Sequence, residues 1–239
     1  MDANLDDRRS RAQLRIPVAQ QHAARSVLAL EAEQTFEART HSRAKNGFTS
    51  SLEFTSNTEI YRVDDPADAI YRVLSGGVRT CRVFDDGRRY IASFYLSGDF
   101  FGFENRLHHS FSCEAICTST VQVVRRAFSR TAIPDKSNDV DLLTISADEL
   151  RRAQFQSSLL VKTASERVGG FLLQMCAHST RTNTFELPMT RQDIADHLGL
   201  TIETVSRVFT QLEAAHIILR TPRRHILVRN RSALEQMGG

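Results

Sequence analysis

No apolar run in this 239-residue chain approaches the ~18 residues that a membrane-crossing helix needs, so the sequence offers no spanning segment and no membrane role is expected. Cysteine is scarce: Cys81, Cys113, Cys117 and Cys176 are scattered without a Cys-x-x-Cys pair, which argues against a disulfide framework and against a zinc site. They read as small buried apolar side chains with reduced thiols, Cys113 and Cys117 falling on one face of an expected strand. No clear electropositive neighbourhood marks Cys81 or Cys176 as a target of direct oxidation. An excess of one charge is also missing, with 31 Lys and Arg against 28 Asp and Glu and a net charge of +3. A nucleic-acid reading must therefore rest on where the basic residues lie rather than on their sum. There is no phosphate loop, nucleophile elbow or metal-ligand spacing, and the histidines are dispersed, so the sequence argues against an enzyme and against any cofactor or metal. His108-His109 has no partner ligands at a recognisable spacing and reads as a solvent-exposed loop. The acidic start, without an apolar stretch before a small-residue cleavage site, does not read as an export signal, and a cytoplasmic protein is expected.

What is present divides into four stretches. Residues 1–50 are rich in Arg, Gln, Ala, Ser and Thr and are expected to form a mobile arm, with a short helix conceivable from Val18 to Phe36. Residues 51–145 open with short β-branched and apolar runs, each closed by a turn signal: Ala69-Ile-Tyr-Arg-Val-Leu before Ser75-Gly-Gly, Val78-Arg-Thr-Cys-Arg-Val-Phe before Asp85-Asp-Gly, and Tyr90-Ile-Ala-Ser-Phe-Tyr-Leu before Ser97-Gly-Asp. These runs predict hairpins in a compact β-roll, Asp86-Gly87 being the strongest turn because glycine takes positive φ without steric cost. After Pro134 the period becomes helical. Ser146 can cap a helix with Glu149 three residues on, and Leu150, Ala153, Ser157, Leu160 and Ala164 fall on one narrow face. That stripe suits a two-helix dimer seam, although packing onto the chain's own roll would use the same pattern. Residues 146–178 are thus expected to be a dimerisation helix with a hinge at Gly169-Gly170, beyond which Val168, Phe171, Leu172 and Met175 show a shifted face.

The most informative stretch lies in residues 179–239. From Thr190 two short helices meet at Gly199. Thr190 can cap the first, with Asp193 in its opening turn and Ile194, Ala195 and Leu198 inside; Thr201 can cap the second, with Val205, Val208, Phe209 and Leu212 inside. Ile202, Glu203, Ser206, Arg207 and Thr210 are then turned outward. Arg207 can donate two hydrogen bonds to guanine, Glu203 can accept from the cytosine amino group, and Ser206 is short enough to allow close approach. Thr190, Arg191, Thr201 and Thr204 cluster at helix starts, where backbone N–H groups and hydroxyls can hold phosphate oxygens. Downstream, Ile217 to Val228 predicts a hairpin with arginines at its tip, placing Arg223 and Arg224 beside a DNA backbone. A small helical interaction module is the bland alternative to this winged helix-turn-helix.

These residues resemble the cyclic-AMP receptor protein and FNR superfamily of bacterial regulators, and more narrowly its FixK-type branch. The likeness spans about residues 55 to 235 and is carried by Thr190-Arg-Gln-Asp-Ile-Ala-Asp-His-Leu-Gly-Leu-Thr-Ile-Glu-Thr-Val-Ser-Arg, by Ala67-Asp-Ala-Ile-Tyr-Arg-Val-Leu-Ser-Gly-Gly-Val-Arg and by Ser97-Gly-Asp-Phe-Phe-Gly. It implies an α+β chain: an N-terminal β-roll of the jelly-roll, cyclic-nucleotide-binding type, a long dimerisation helix and a C-terminal winged helix-turn-helix. It further implies that Glu203, Ser206 and Arg207 read bases in a TTGAT-N4-ATCAA palindrome as a homodimer, and that the loop from His178 to Glu186 touches RNA polymerase. The phosphate-holding pattern of the cyclic-nucleotide-binding relatives is broken: Gly102 is followed by Phe103 and Glu104, and Phe111 precedes Ser112 where an arginine would sit. No cysteine precedes Cys81, so the FNR-type iron–sulfur cluster is not expected. The implied role is an activator of genes for low-oxygen respiration or nitrogen metabolism, controlled by its abundance. The competing implication is a regulator gated by haem or by an effector other than cyclic AMP.

Overall fold

The computed structural model describes residues 49–104, 106–125, 142–179, 183–222 and 224–238. The expected arm therefore lies almost wholly outside the described residues, as do Pro134 and Arg223. Eight strands come first: β1 (Thr49–Phe54), β2 (Glu59–Tyr61), β3 (Ala69–Ser75), β4 (Gly77–Val83), β5 (Arg89–Leu96), β6 (Phe100–Phe101), β7 (Ser112–Ala115) and β8 (Ser119–Arg125). They form two antiparallel sheets, ordered β1-β8-β3-β6 and β2-β7-β4-β5. The expected hairpin at Asp86-Gly87 is present between β4 and β5, with Gly87 at φ +83°. The other two turns are corrected. Ser75-Gly76-Gly77 and Ser97-Gly98-Asp99 carry the chain from one sheet to the other instead of closing hairpins. A period-2 pattern records which face of a strand is buried, not which strand pairs with it. Gly76 is required at its crossing, because a Cβ there would strike Ser119 and the Thr118 carbonyl.

Between the sheets, Val73, Val78, Phe101, Cys113, Ala115 and Val121 are fully buried. His109 is buried with them, its ring stacked 3.7 Å from that of Tyr61, whereas His108 is exposed. The expectation of a solvent-exposed His-His loop thus fails for His109, because stacking on Tyr61 offsets the cost of burying the ring. Cys113 lies on β7 but Cys117 follows the strand and is half-buried, so the two do not share a strand face.

The helices follow. α1 (Leu142–Ser158) already runs at Leu142, so Ser146 is interior rather than a cap. It stops before a turn at Leu159–Val161, and α2 (Ala164–Ala177) begins afresh with Thr163 and Glu166 in a capping box. The break between helices is here and not at Gly169-Gly170, which lies inside α2 against α5 (Arg231–Gly238). β9 (Thr184–Glu186), α3 (Arg191–Leu198), α4 (Ile202–Ala214), β10 (Ile218–Thr221) and β11 (His225–Val228) complete the chain before α5. The predicted wing hairpin is present as β10 and β11, and β9 joins it to make a three-stranded sheet ordered β10-β11-β9. A second core runs through α2, α3, α4 and this sheet and continues onto Cys81, Ile91 and Phe94 of the roll.

Candidate nucleic-acid interface

The helix-turn-helix is built as its local chemistry dictates. Thr190 Oγ1 accepts from the Asp193 amide at 3.1 Å, and Asp193 Oδ2 accepts from the Thr190 amide at 2.9 Å. Gly199 takes the left-handed conformation at φ +62° and lets the chain reverse without a Cβ penalty. Thr201 then caps α4 through the Thr204 amide. Ile194, Ala195 and Leu198 pack against Val205, Val208, Phe209 and Leu212, all buried. The opposite face of α4 carries Glu203, Ser206, Arg207 and Thr210, all exposed, with Ile202 at its start. Glu203 sits in the first helical turn, where backbone N–H groups and the Thr201 hydroxyl hold its carboxyl below the usual range. A charged acceptor, a short hydroxyl and a guanidinium thus share one solvent face, the donor and acceptor set needed to read base edges in a major groove.

Beside that face, the wing and the start of α3 enclose a cleft of about 340 Å³, lined by Thr190, Arg191, Arg220, Thr221, Arg224 and His225 over a floor of Leu187, Met189 and Ile226. Arg191 lies with its guanidinium carbon 3.4 Å from the Phe209 ring centroid. Burial, with Arg220 adding to it, lowers the Arg191 pKa to about 10, so its charge favours an anionic neighbour. Arg220 pairs with Glu213. Arg224 adopts φ +61° and donates to the Pro188 carbonyl at 2.7 Å, so part of its fork holds the wing to the segment before α3. Arg220, one of the arginines expected around the hairpin tip, lines the cleft, and Thr221 and His225 join it although sequence spacing did not single them out; the alternation of β10 and β11 was the signal that could have placed them.

The proposed seam residues are brought together only in part. Leu150, Ala153 and Ser157 share an exposed face of α1, and Leu143, one heptad before Leu150, extends it. Leu160 is in the turn after α1, and Ala164 opens α2, on a separate helix. Leu143 is 81% exposed, Leu150 58% and Leu160 86%. The loop from His178 to Glu186 is less open than its polarity suggests: Phe185 is buried, and His178 Nε2 sits 3.4 Å from Asp99 Oδ1. Residues 180–182 of that loop lie outside the described residues.

In the roll, Gly102 is kept at φ +81°, against the Tyr71 ring. Glu104 accepts from the Ser110 amide at 2.9 Å and from its hydroxyl at 3.1 Å, and Ser112 Oγ accepts from the Val63 amide. The Glu104 carboxylate therefore takes both Ser110 donors, and a nucleotide phosphate brought beside it would meet a like charge. The residues do not fit a cyclic nucleotide. Among the described residues no group of three or more His, Cys, Asp or Glu is placed to hold a metal ion, and no helix is long and apolar enough to cross a membrane.

Comparison with known proteins agrees with both halves of the chain. Residues 51–132 match the cyclic nucleotide-binding domain and residues 166–237 the Crp-like helix-turn-helix domain. The chain is 44% identical over 192 residues to the nitrogen fixation regulation protein FixK of Azorhizobium caulinodans, covering 77% of each. It is 40% identical over 181 residues to FixK of Rhizobium meliloti, covering 75% of this chain and 82% of that one. Among solved structures, FixK2 from Bradyrhizobium japonicum superposes with a TM-score of 0.73 at 39% identity, over 80% of this chain and 98% of the other. With transcription regulators as its relatives and a Crp-like helix-turn-helix at its C-terminal end, the chain is not an enzyme; it belongs to the CRP/FNR family of DNA-binding transcription regulators, among the FixK-type activators.

Proposed function

We propose that this chain binds a TTGAT-N4-ATCAA-type palindrome as a homodimer and activates genes for low-oxygen or nitrogen metabolism without a small-molecule effector. The observation that carries the reading is the outward face of α4, where Glu203, Ser206 and Arg207 stand exposed together beside the basic cleft. Arg207 and Glu203 read bases, while Thr190, Arg191, Thr201, Thr204 and Arg224 hold phosphates and set the register. Two such helices in a two-fold dimer would lie about one helical turn apart, which is why a palindrome is the natural target. The exposed aliphatic face of α1 supports the dimer. The carboxylate held in the roll supports independence from cyclic nucleotides. The names of the FixK relatives support the physiological role.

Fluorescence anisotropy of the purified, effector-free protein on the palindrome and on a scrambled duplex tests this at fixed salt. Arg207→Ala is expected to cost about 1–3 kcal/mol on the palindrome and little on the scrambled duplex. Equal binding of both duplexes by the unaltered protein would refute the reading. Contact with RNA polymerase through the loop from His178 to Glu186 is part of the same proposal. Alanine substitutions at the exposed Glu186 and at Asn183 should lower activated transcription in vitro without changing DNA affinity; unchanged transcription removes that contact.

A further inference from the structure

The helix-turn-helix is held to the β-roll by a cluster of charges that base recognition does not use. Arg79, on β4 of the roll, is buried at 5% exposure. Its Nε and Nη2 donate to Glu114 Oε2 at 2.9 and 2.6 Å, Nη2 also to Asn57 Oδ1 at 3.1 Å, and Nη1 to Asp193 Oδ1 at 3.0 Å. Arg89, at the start of β5, donates from Nη2 to the same Asp193 oxygen at 2.6 Å and from Nε to Asp196 Oδ2 at 2.7 Å. Asp193 belongs to α3 and is itself buried at 2% exposure. Its other oxygen, Oδ2, accepts from the amide and hydroxyl of Thr190 in the capping box. One carboxylate therefore closes the first turn of α3 and ties that turn to two strands of the roll.

Burial decides what such a cluster does. Opposite charges taken out of water add little net stability over an apolar contact, but separating them strands a charge in a dry site, so they fix geometry. The planar guanidinium fork allows few orientations, and Arg79 has all three nitrogens engaged. What is fixed for α3 is fixed for α4, because Gly199 sets the turn between them and their inner faces share one core with Ile91 and Phe94 of the roll. α1 is tied to the same roll, Arg152 Nη1 donating to the Phe94 carbonyl at 2.7 Å and Gln156 to the Ala92 carbonyl at 3.1 Å. Recognition helix and exposed seam are thus both referred to β5.

We propose that Arg79 and Arg89 are positioning residues for DNA recognition: by holding Asp193 and Asp196 against the roll they set the orientation of α4 relative to the α1 seam, and so the half-site spacing that a dimer accepts. The proposal rests on the palindrome-binding reading above for its spacing consequence but not for the contact itself. Neither arginine touches the base-reading face, and each lies more than a hundred residues before even Asp193 in sequence.

The test compares the unaltered protein with Arg89→Gln, Asp196→Asn and Arg79→Gln. Asp196→Asn is the mildest, since it removes the charge facing Arg89 while keeping an oxygen for Gln192. Operators carry the cognate spacer or one extra base pair, which turns one half-site by about 34° and shifts it by about 3.4 Å. The unaltered protein is expected to bind the lengthened operator at least about tenfold more weakly, and the variants to bind both within about threefold of each other, with cognate affinity reduced because orientation is no longer prepaid. A merely structural loss would weaken both operators alike and keep the ratio. In parallel, deuterium exchange without DNA should be faster in the variants at Thr190–Leu198 and at the α1–α2 turn. Variants that melt normally yet keep the full spacing ratio and the original exchange overturn the proposal. If the unaltered protein fails to distinguish palindrome from scrambled duplex, the palindrome reading falls, and unchanged or faster exchange still decides whether the arginines hold the helix in place.

Discussion

His197 shows how one side chain can carry a pH signature. It sits on α3 with Nδ1 3.0 Å from the Ile91 carbonyl of β5, and its ring packs among Phe94, Phe155 and Phe171. Desolvation lowers its pKa to about 4. The folded chain therefore prefers the neutral ring, while the unfolded chain takes a proton near pH 6.5. Stability from this residue is complete above about 6.5 and is lost as pH falls towards 4, on the order of 3 kcal/mol in all. His178 runs the other way. The Asp99 carboxylate beside it raises its pKa, so its contribution is present below about 6.5 and fades as pH rises through the raised value. Below about pH 6.5, where the His178 contribution is complete, the melting temperature should consequently fall towards pH 5, and His197→Gln should flatten that fall although it lowers stability at pH 7. An undiminished fall in the variant would assign the acid sensitivity elsewhere, Asp99 and Asp193 being too depressed to titrate in that window.

At the scale of elements, Gly169 and Gly170 show where sequence reading stops. As a pair inside an apolar helical pattern they suggest a hinge, since glycine is a poor helix former. In the fold they stay helical because α5 approaches α2 closely there: a Cβ on Gly169 would lie 3.3 Å from the Gly238 amide nitrogen, and one on Gly238 only 2.8 Å from Leu173. Gly169→Val removes a helix glycine, worth about 1 kcal/mol, but forces two backbones apart, and overpacking of about 1–3 kcal/mol should win. A urea midpoint that rises would contradict this. The helix-turn-helix, by contrast, was legible residue by residue, because Thr190, Asp193, Gly199 and Thr201 act on neighbours within a few positions. β9, α5, the burial of His109 and the two arginines on Asp193 were not, since each depends on a partner that only the folded chain brings near. The break at Leu159–Val161 escaped the reading for a related reason: Leu160 and Ala164 continue the stripe of Leu150, Ala153 and Ser157 at helical spacing, while the Thr163 cap that starts α2 competes with it locally.

For the whole molecule the decisive question is what covers the outer face of α1. Its inner face is already bound, with Arg152 on the Phe94 carbonyl and near Asp99, and Gln156 on the Ala92 carbonyl. The outer face leaves Leu143 and Leu150 in water, followed by Leu160 and Val161 in the turn, all more than half exposed. Aliphatic side chains at heptad spacing on one helix face are what a two-stranded seam buries. A two-fold axis along α1 would place Leu150 near its own copy, so Leu150→Glu would set like charges against each other while leaving the isolated chain's packing almost untouched, as surface changes usually do within about 0.5 kcal/mol. Sedimentation at micromolar concentration should then show the mass of a single chain in place of two. Affinity for the palindrome should fall by at least about 100-fold, because one half-site alone must supply the whole binding energy once the second is no longer held at high effective concentration. Far-UV circular dichroism and the melting of the roll should not change beyond the loss of dimer linkage. If Leu150→Glu still sediments as the dimer, the seam lies elsewhere; if it is monomeric yet binds the palindrome undiminished, one chain suffices and the symmetry argument for two recognition helices fails.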